Sequence, residues 1–323
     1  MLKRLTLMLA LLTSPVHADV ADVVADHILP GYAAFAQATA DLDLQAAASC
    51  DPDTLRPAFQ TAFDAWMAVQ HLHLGPVEEA GRGLAIVFWP DPKGLGRKAQ
   101  LALVQGDPAK LTPEAFADQS VAARGLTGLE RLLYPTGPWP ADTCPLIRAT
   151  AADLARLAAE VQGGWTSGFA DQLLTAGAPG NTRYLSEAEA RQALFTVLVT
   201  GLAQLHDQRL GRPMGTFDRP TPERAEAVAS GRSLRNVRLS LQALRALTES
   251  LTEAAPLTQA ALDHAVTLTE TLNDPVFAGT ATPSGRLKVE VLQQAVEQAR
   301  LAVLAEIGPA LGVGLGFNAL DGD

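Results

Sequence analysis

Arg124-Gly125-Leu126-Thr127-Gly128-Leu129-Glu130-Arg131-Leu132-Leu133-Tyr134 combines a leucine stripe with two glycines and a polar pair. Leu126, Leu129, Leu132 and Leu133 recur at helical spacing, so the stretch predicts one amphipathic helix that stops at Pro135. Thr127 and Glu130 are three apart and share another face of that helix. Gly125 and Gly128 flank Thr127, and each costs about 1 kcal/mol against alanine in a helix interior. A chain carries that cost where another backbone or a ligand must come close. Two readings fit: a tight helix–helix contact beside a solvated glutamate, or a polar pocket built on Thr127 and Glu130.

The flanking sequence is of the same kind. Residues 21–48 place apolar side chains at helical spacing, with Pro30-Gly31 as an early interruption. Asp53-Thr54 reads as the cap of a second helix through Phe59, Phe63, Trp66 and Val69, ended by Gly75-Pro76. Phe88-Trp89-Pro90-Asp91-Pro92-Lys93-Gly94 must be a loop, because two prolines bracket an aspartate. Residues 95–104 predict a short helix, and Thr112-Pro113-Glu114 starts another. A long helix spans about 146–175, with Gly163-Gly164 as its kink. Residues 177–183 form the clearest linker, dividing the chain into 19–176 and 184–323. Beyond it, Ser186 opens a helix that is apolar nearly all round between 194 and 205. Residues 211–222 read as a loop, followed by helices at about 223–251 (broken near Gly231), 257–272 and 285–306. No strand alternation occurs, so the fold class is all-α.

The first eighteen residues stand apart from that fold. Lys3 and Arg4, the apolar run 5–12, and Val16-His17-Ala18 have the order of a secretory leader cleaved after Ala18. The apolar run is too short to span a bilayer, and the mature chain contains no membrane span. The expected product is an exported periplasmic protein beginning at Asp19. Its formal charge moves from −10 to −12 when Lys3 and Arg4 leave. That sign repels phosphate backbones and argues against nucleic acid; it is compatible with cation capture. Cys50 and Cys144 are the chain's two cysteines. An even count in an oxidising compartment predicts one disulfide, worth about 4–5 kcal/mol in the chain-entropy model. A thiolate metal site or a nucleophile are the alternatives.

The helix 125–134 also carries a resemblance. The imelysin family has the signature Gly-x-His-x-x-Glu on a helix, and Gly125-Leu126-Thr127-Gly128-Leu129-Glu130 resembles it with Thr127 in place of the histidine. Trp66 followed by Gly75-Pro76, the run Phe88-Trp89-Pro90-Asp91, the segment Gly231-Arg232-Ser233-Leu234-Arg235-Asn236 and the C-terminal Gly316-Phe317-Asn318-Ala319-Leu320-Asp321-Gly322-Asp323 occur in the family's order. The resemblance implies two helical bundles of about four helices each, packed against each other. It places the signature helix near their contact, with the region of Glu78 and Arg82 close by. It also links the chain to iron acquisition and to a historical peptidase label.

Candidate chemistry therefore gathers on Glu130, Thr127, Glu78, Arg82 and Asp91 as a pocket for a metal ion or small ligand. In the family, histidine plus carboxylates would suit iron or another divalent metal; a threonine hydroxyl is a poor ligand, which weakens the metal reading specifically. His71 and His73 are two apart and point away from each other on a helix, so both reach one metal only if the segment before Gly75 is unwound. His206 suits a helix C-terminus, and His27 and His264 stand isolated. Gly312-Val313-Gly314-Leu315-Gly316 follows no strand and is no nucleotide loop. Asp321-Gly322-Asp323 lacks the spacing of a calcium loop. Neither a His-Glu-x-x-His motif nor a Gly-x-Ser-x-Gly elbow is present. The preferred expectation is a periplasmic binding component of iron uptake with periplasmic or membrane partners, not an enzyme. A metallopeptidase-like hydrolase and a helical protein-interaction module are the alternatives.

Overall fold

The structure is a computed structural model that describes residues 20–252 and 255–314. The expected leader and the tail from Leu315, with Asp321-Gly322-Asp323, lie outside the described residues. Among the described residues the chain is all-helical, with one isolated β-bridge between Thr216 and Arg219 and no strand.

Helix α1 (Leu29–Ala48) follows a π turn, Val23–Ile28. Ile28 and Leu29 keep helical dihedrals, so the backbone is helical straight through Pro30; its missing N–H falls where π winding passes into α, and the expected interruption is a change of winding, not a break. Helix α2 (Pro52–Val69) is capped two residues earlier than the Asp53-Thr54 reading. The Asp51 carboxylate accepts from the Asp53 N–H, and the Thr54 hydroxyl donates to it at 2.8 Å. Helix α3 (Leu95–Val104) has the expected bounds, and the Asp91 carboxylate accepts the Leu95 and Gly96 N–H groups at 2.8 Å each. Helix α4 (Gly125–Leu133) is the opening stretch. Helix α5 (Cys144–Gly164) runs through a π turn, Trp165–Phe169, into Ala170–Leu174. The non-helical residue there is Gly168, just past the predicted Gly163-Gly164.

The second half opens with α6 (Glu187–Gln204), where the Ser186 hydroxyl accepts the Glu189 N–H. A π turn, Leu205–Leu210, and a short helix, Gly211–Met214, extend it. Helices α7 (Ser233–Leu251), α8 (Pro256–Leu272) and α9 (Pro283–Ala302) follow, and a π turn, Val303–Ile307, leads from α9 into a short helix, Gly308–Leu311. The helix expected from about 223 begins only at Ser233, because Ala227 and Gly231 take positive φ in the turn before it.

Helix α1 lies between α2 and α5, with α4 against both α2 and α5; α7, α8 and α9 pack in sequence, with α6 against α7 and α9. These are the two helical groups. They meet where α2 and the first π turn lie against α7, and one apolar cluster runs through both, from Val23 to Leu311. Cys50 and Cys144 form a disulfide, Cα–Cα 5.3 Å, that ties the α1–α2 corner to the start of α5.

Candidate functional site

The signature helix is buried along almost its whole length. Gly125 has φ +67°, and a Cβ there would stand 2.1 Å from the Ala85 carbonyl oxygen and 2.2 Å from that of Ile86. This is the close backbone approach that the glycines announce. Beside it, Arg124 is fastened to Asp153 by two hydrogen bonds (Nε to Oδ2 2.7 Å, Nη2 to Oδ1 3.0 Å). Thr127 Oγ1 accepts the Phe88 N–H at 3.2 Å, pinning the start of the Phe88–Asp91 loop. Glu130 is 7% exposed, and its Oε1 accepts both the N–H (2.9 Å) and the hydroxyl (2.7 Å) of Ser230, from the turn before α7. Burial pushes the Glu130 carboxyl above the ordinary glutamate range; the two Ser230 bonds pull it back, and the neighbouring Glu226 charge pushes it up again. The solvated-glutamate reading therefore does not describe Glu130.

Behind Ser230 lies a polar seam between the two helical groups. Arg209 and Glu226 are both buried and form a two-point ion pair, Nε to Oε2 2.7 Å and Nη2 to Oε1 3.3 Å. Asn236 Nδ2 donates to Glu226 Oε2 at 2.8 Å. Arg209 also donates to Ser240 Oγ and, across the seam, to Gln70 Oε1, both at 2.9 Å. Arg232, 1% exposed, donates to Asn236 Oδ1, Gln60 and Asp64, and its guanidinium covers the Phe63 ring at 4.3 Å. Each charge removed from water thus has a partner, Glu226 within the second group and Arg232 across the seam at Asp64, as burial requires.

Above this seam opens a cleft of about 360 Å³. Trp66, Trp89, Val77 and Leu84 supply its apolar surface, and Gln70, His73, Glu78, Gln204 and Glu226 its polar surface. Gln70 Nε2 donates to Gln204 Oε1 at 2.9 Å on its floor. Burial, and then the Arg209 charge, lower the His73 imidazole below the usual histidine value. Burial raises the Glu78 carboxyl. A second cavity of about 370 Å³ shares Trp89 as a wall and adds Asp91, Arg212, Glu223 and Arg224.

A family profile described as Imelysin matches residues 28–303. The chain belongs to the imelysin family. Two solved structures have its fold. One is an imelysin-like protein from Psychrobacter arcticum, with 20% identity and a TM-score of 0.75, covering 92% of this chain and 96% of that one. The other is a putative iron-regulated protein A precursor from Parabacteroides distasonis, with 13% identity and a TM-score of 0.66, covering 93% and 96%. At these identities the likeness is one of fold. No curated protein matches the chain.

Within this imelysin frame the candidate residues distribute as follows. Glu130 and Thr127 share a helix face, as their spacing requires, but each is occupied by a different segment: Ser230 for one, Phe88 for the other. Glu78 lines the cleft, and Asp91 lines the second cavity while capping α3. Arg82 turns away, donating to Glu160 (3.1 Å), Glu79 (3.2 Å) and the Pro76 carbonyl (2.8 Å). His71 and His73 separate at the end of α2. His73 lines the cleft, whereas His71 Nε2 meets His27 Nε2 at 3.0 Å, so His27 is not isolated. Burial lowers His27 to about 4 and carries buried His71 well below its usual value, so both rings are neutral near pH 7. Around Thr127 and Glu130 the donor set does not fit a metal: one carboxylate is already bonded to Ser230, and no nitrogen stands in the histidine's place. Among the described residues no group of three or more His, Cys, Asp or Glu side chains could hold an ion. Sequence reading did not find Arg209, Glu226 and Ser230, whose partners lie on other helices; Arg232 and Asn236 lay in a segment that resembles the family, but nothing local marked them as seam residues.

Proposed function

We propose that this imelysin-family chain is an exported binding component of iron uptake, and that its cargo is held in the cleft between the helical groups. The observation that carries the reading is the cleft itself. It is of small-molecule size, lies on the seam where the two groups meet, and offers His73 and Glu78 beside two tryptophan rings. The secretory pattern of residues 1–18 supports export, and one structural neighbour, a putative iron-regulated protein A precursor, supports the link to iron. Thr127 and Glu130 then belong to the support behind the cleft, with Glu78 at its wall and Asp91 in the adjoining cavity.

The test is calorimetry together with tryptophan fluorescence on the mature protein, using anaerobic ferrous sulfate, zinc sulfate and ferric citrate. The expected result is saturable binding of an iron species with quenching of Trp66 and Trp89, weakened at least fivefold by the double variant His73→Ala, Glu78→Ala. No binding of any iron species would refute the proposal. Turnover of a peptide that stops on adding a chelator would replace it with the hydrolase reading.

A further inference from the structure

The cleft and the second cavity adjoin at Trp89, and a ligand long enough to reach past that ring would use the two as one groove. Trp89 is a wall of both, and the consecutive residues Ala225 and Glu226 line one each. The groove is far larger than a bare ion needs. A hydrated or fully ligated cation asks for about six donors at roughly 2.0–2.6 Å, whereas each cavity here lies in the range of roughly 300–1,000 Å³ typical of organic ligands.

The side chains that face the groove are also the wrong set for a bare ion. Glu226 is committed to Arg209 and Asn236. Asp91 is committed to the first turn of α3. That leaves His73 and Glu78 in the cleft and Glu223 in the second cavity, too few to fill the coordination sphere of iron. What the groove does supply is apolar surface from Trp89 and Leu84, with edges of the nearly buried Trp66 and Val77, and two arginines: Arg224, and Arg212, whose Nε donates to Gln208 Oε1. The Arg212 guanidinium lies 5.9 Å from the Trp89 ring centre. Guanidinium groups beside an aromatic wall suit a planar organic anion, which they bind through charge-assisted hydrogen bonds.

Resting on the reading above, we infer that the cargo is an iron(III) complex of a small organic chelator bearing carboxylate or phenolate oxygens. The chelator fills the metal's coordination sphere. The protein recognises the chelator's carbon skeleton on the tryptophan walls and its anionic oxygens at Arg212 and Arg224, while His73 and Glu78 face the metal end.

The test compares ferric citrate with anaerobic ferrous sulfate on the full mature protein, in wild type, in Arg224→Glu and in Trp89→Ala. Arg224 is exposed, so its variant is expected to fold; circular dichroism checks Trp89→Ala. The expected result is ferric citrate binding at least tenfold tighter than the bare ferrous ion, weakened fivefold or more by Arg224→Glu. Ferrous iron binding as tightly as the chelate, with no response to Arg224→Glu, would overturn the inference while leaving iron uptake standing. Chelate binding unchanged in both variants would overturn its placement in the groove. Binding of neither species would bring down the proposed function as well.

Discussion

Substituting Gly125 by alanine tests whether the glycines of the signature helix are there for backbone contact. Gly125 has φ +67°, and an added Cβ would overlap the carbonyl oxygens of Ala85 and Ile86 at 2.1 and 2.2 Å. The left-handed conformation costs a residue with a Cβ about 1–2 kcal/mol. Forcing the 82–86 segment away adds about 1–3 kcal/mol, as overpacking does elsewhere. Reduced freedom of the unfolded chain returns up to about 1 kcal/mol, leaving a net loss of about 3 kcal/mol, a large share of a typical folding free energy. Two comparisons isolate the cause. In Gly128→Ala the new Cβ would stand 2.5 Å from the Ala123 oxygen without a left-handed φ, so a smaller loss of about 1–2 kcal/mol is expected. Gly163 is exposed in α5 with nothing within 4 Å of an added Cβ, so Gly163→Ala should gain about 0.5–1 kcal/mol. Urea unfolding with the disulfide oxidised, followed by far-ultraviolet circular dichroism, gives the three values. A Gly125→Ala loss below about 1 kcal/mol, or an order other than 125, 128, 163, would refute the reasoning.

Glu130→Gln keeps an Oε1 acceptor for Ser230 and removes a carboxylate whose ionisation burial disfavours. A raised folded value means that the native state holds the proton more tightly, so this group's contribution is greatest below about 4.5 and is lost as pH rises through the folded value. The variant should therefore match or exceed wild-type stability at pH 7 and lose that part of the pH slope; a melting temperature markedly below wild type at pH 7 would contradict this. The His27–His71 pair acts on the acid side. With His27 lowered from 6.5 to about 4, the unfolded chain binds more protons, so stability present above pH 6.5 is lost as pH falls toward 4, by up to about 3 kcal/mol for His27 alone. His27→Gln should flatten that fall, and an unchanged pH profile between 6.5 and 4 would show that the pair is solvated.

The helical class and the bounds of α3 were legible because proline, glycine and capping residues punctuate the chain locally. So was the burial of the 125–133 face, since its glycines and leucines both ask for a close neighbour. What escaped was long-range. Ser230 reaches Glu130 across 100 positions, and His27 reaches His71 across 44; no local pattern announces either. Arg209 escaped for a different reason. A helical wheel drawn on α6 puts it on the same face as buried Leu198, Leu202 and Leu205, but an arginine on an apolar face does not announce its partners, and Glu226 and Gln70 reach it from separate segments. The groove escaped because its walls come from separate segments between 66 and 226.

Threonine at the signature histidine position has a physical account in this geometry. The Phe88 N–H lies just beyond the short helix Arg82–Ile86, where only the Val87 N–H returns to that helix, bonding the Gly83 carbonyl. Phe88 therefore needs an acceptor from elsewhere, since a half-buried N–H without a partner is costly. Thr127 Oγ1 is that acceptor, and the bond fixes the segment that continues directly into Trp89. Three residues on, Glu130 holds Ser230, in the turn that carries Glu226. Trp89 and Glu226 line the same cleft. One helix face, through two side chains a single turn apart, thus anchors two walls that belong to different halves of the chain. A hydroxyl meets that demand on the Phe88 side, so the helix keeps its place in the architecture of the cleft with threonine where the family's signature has histidine.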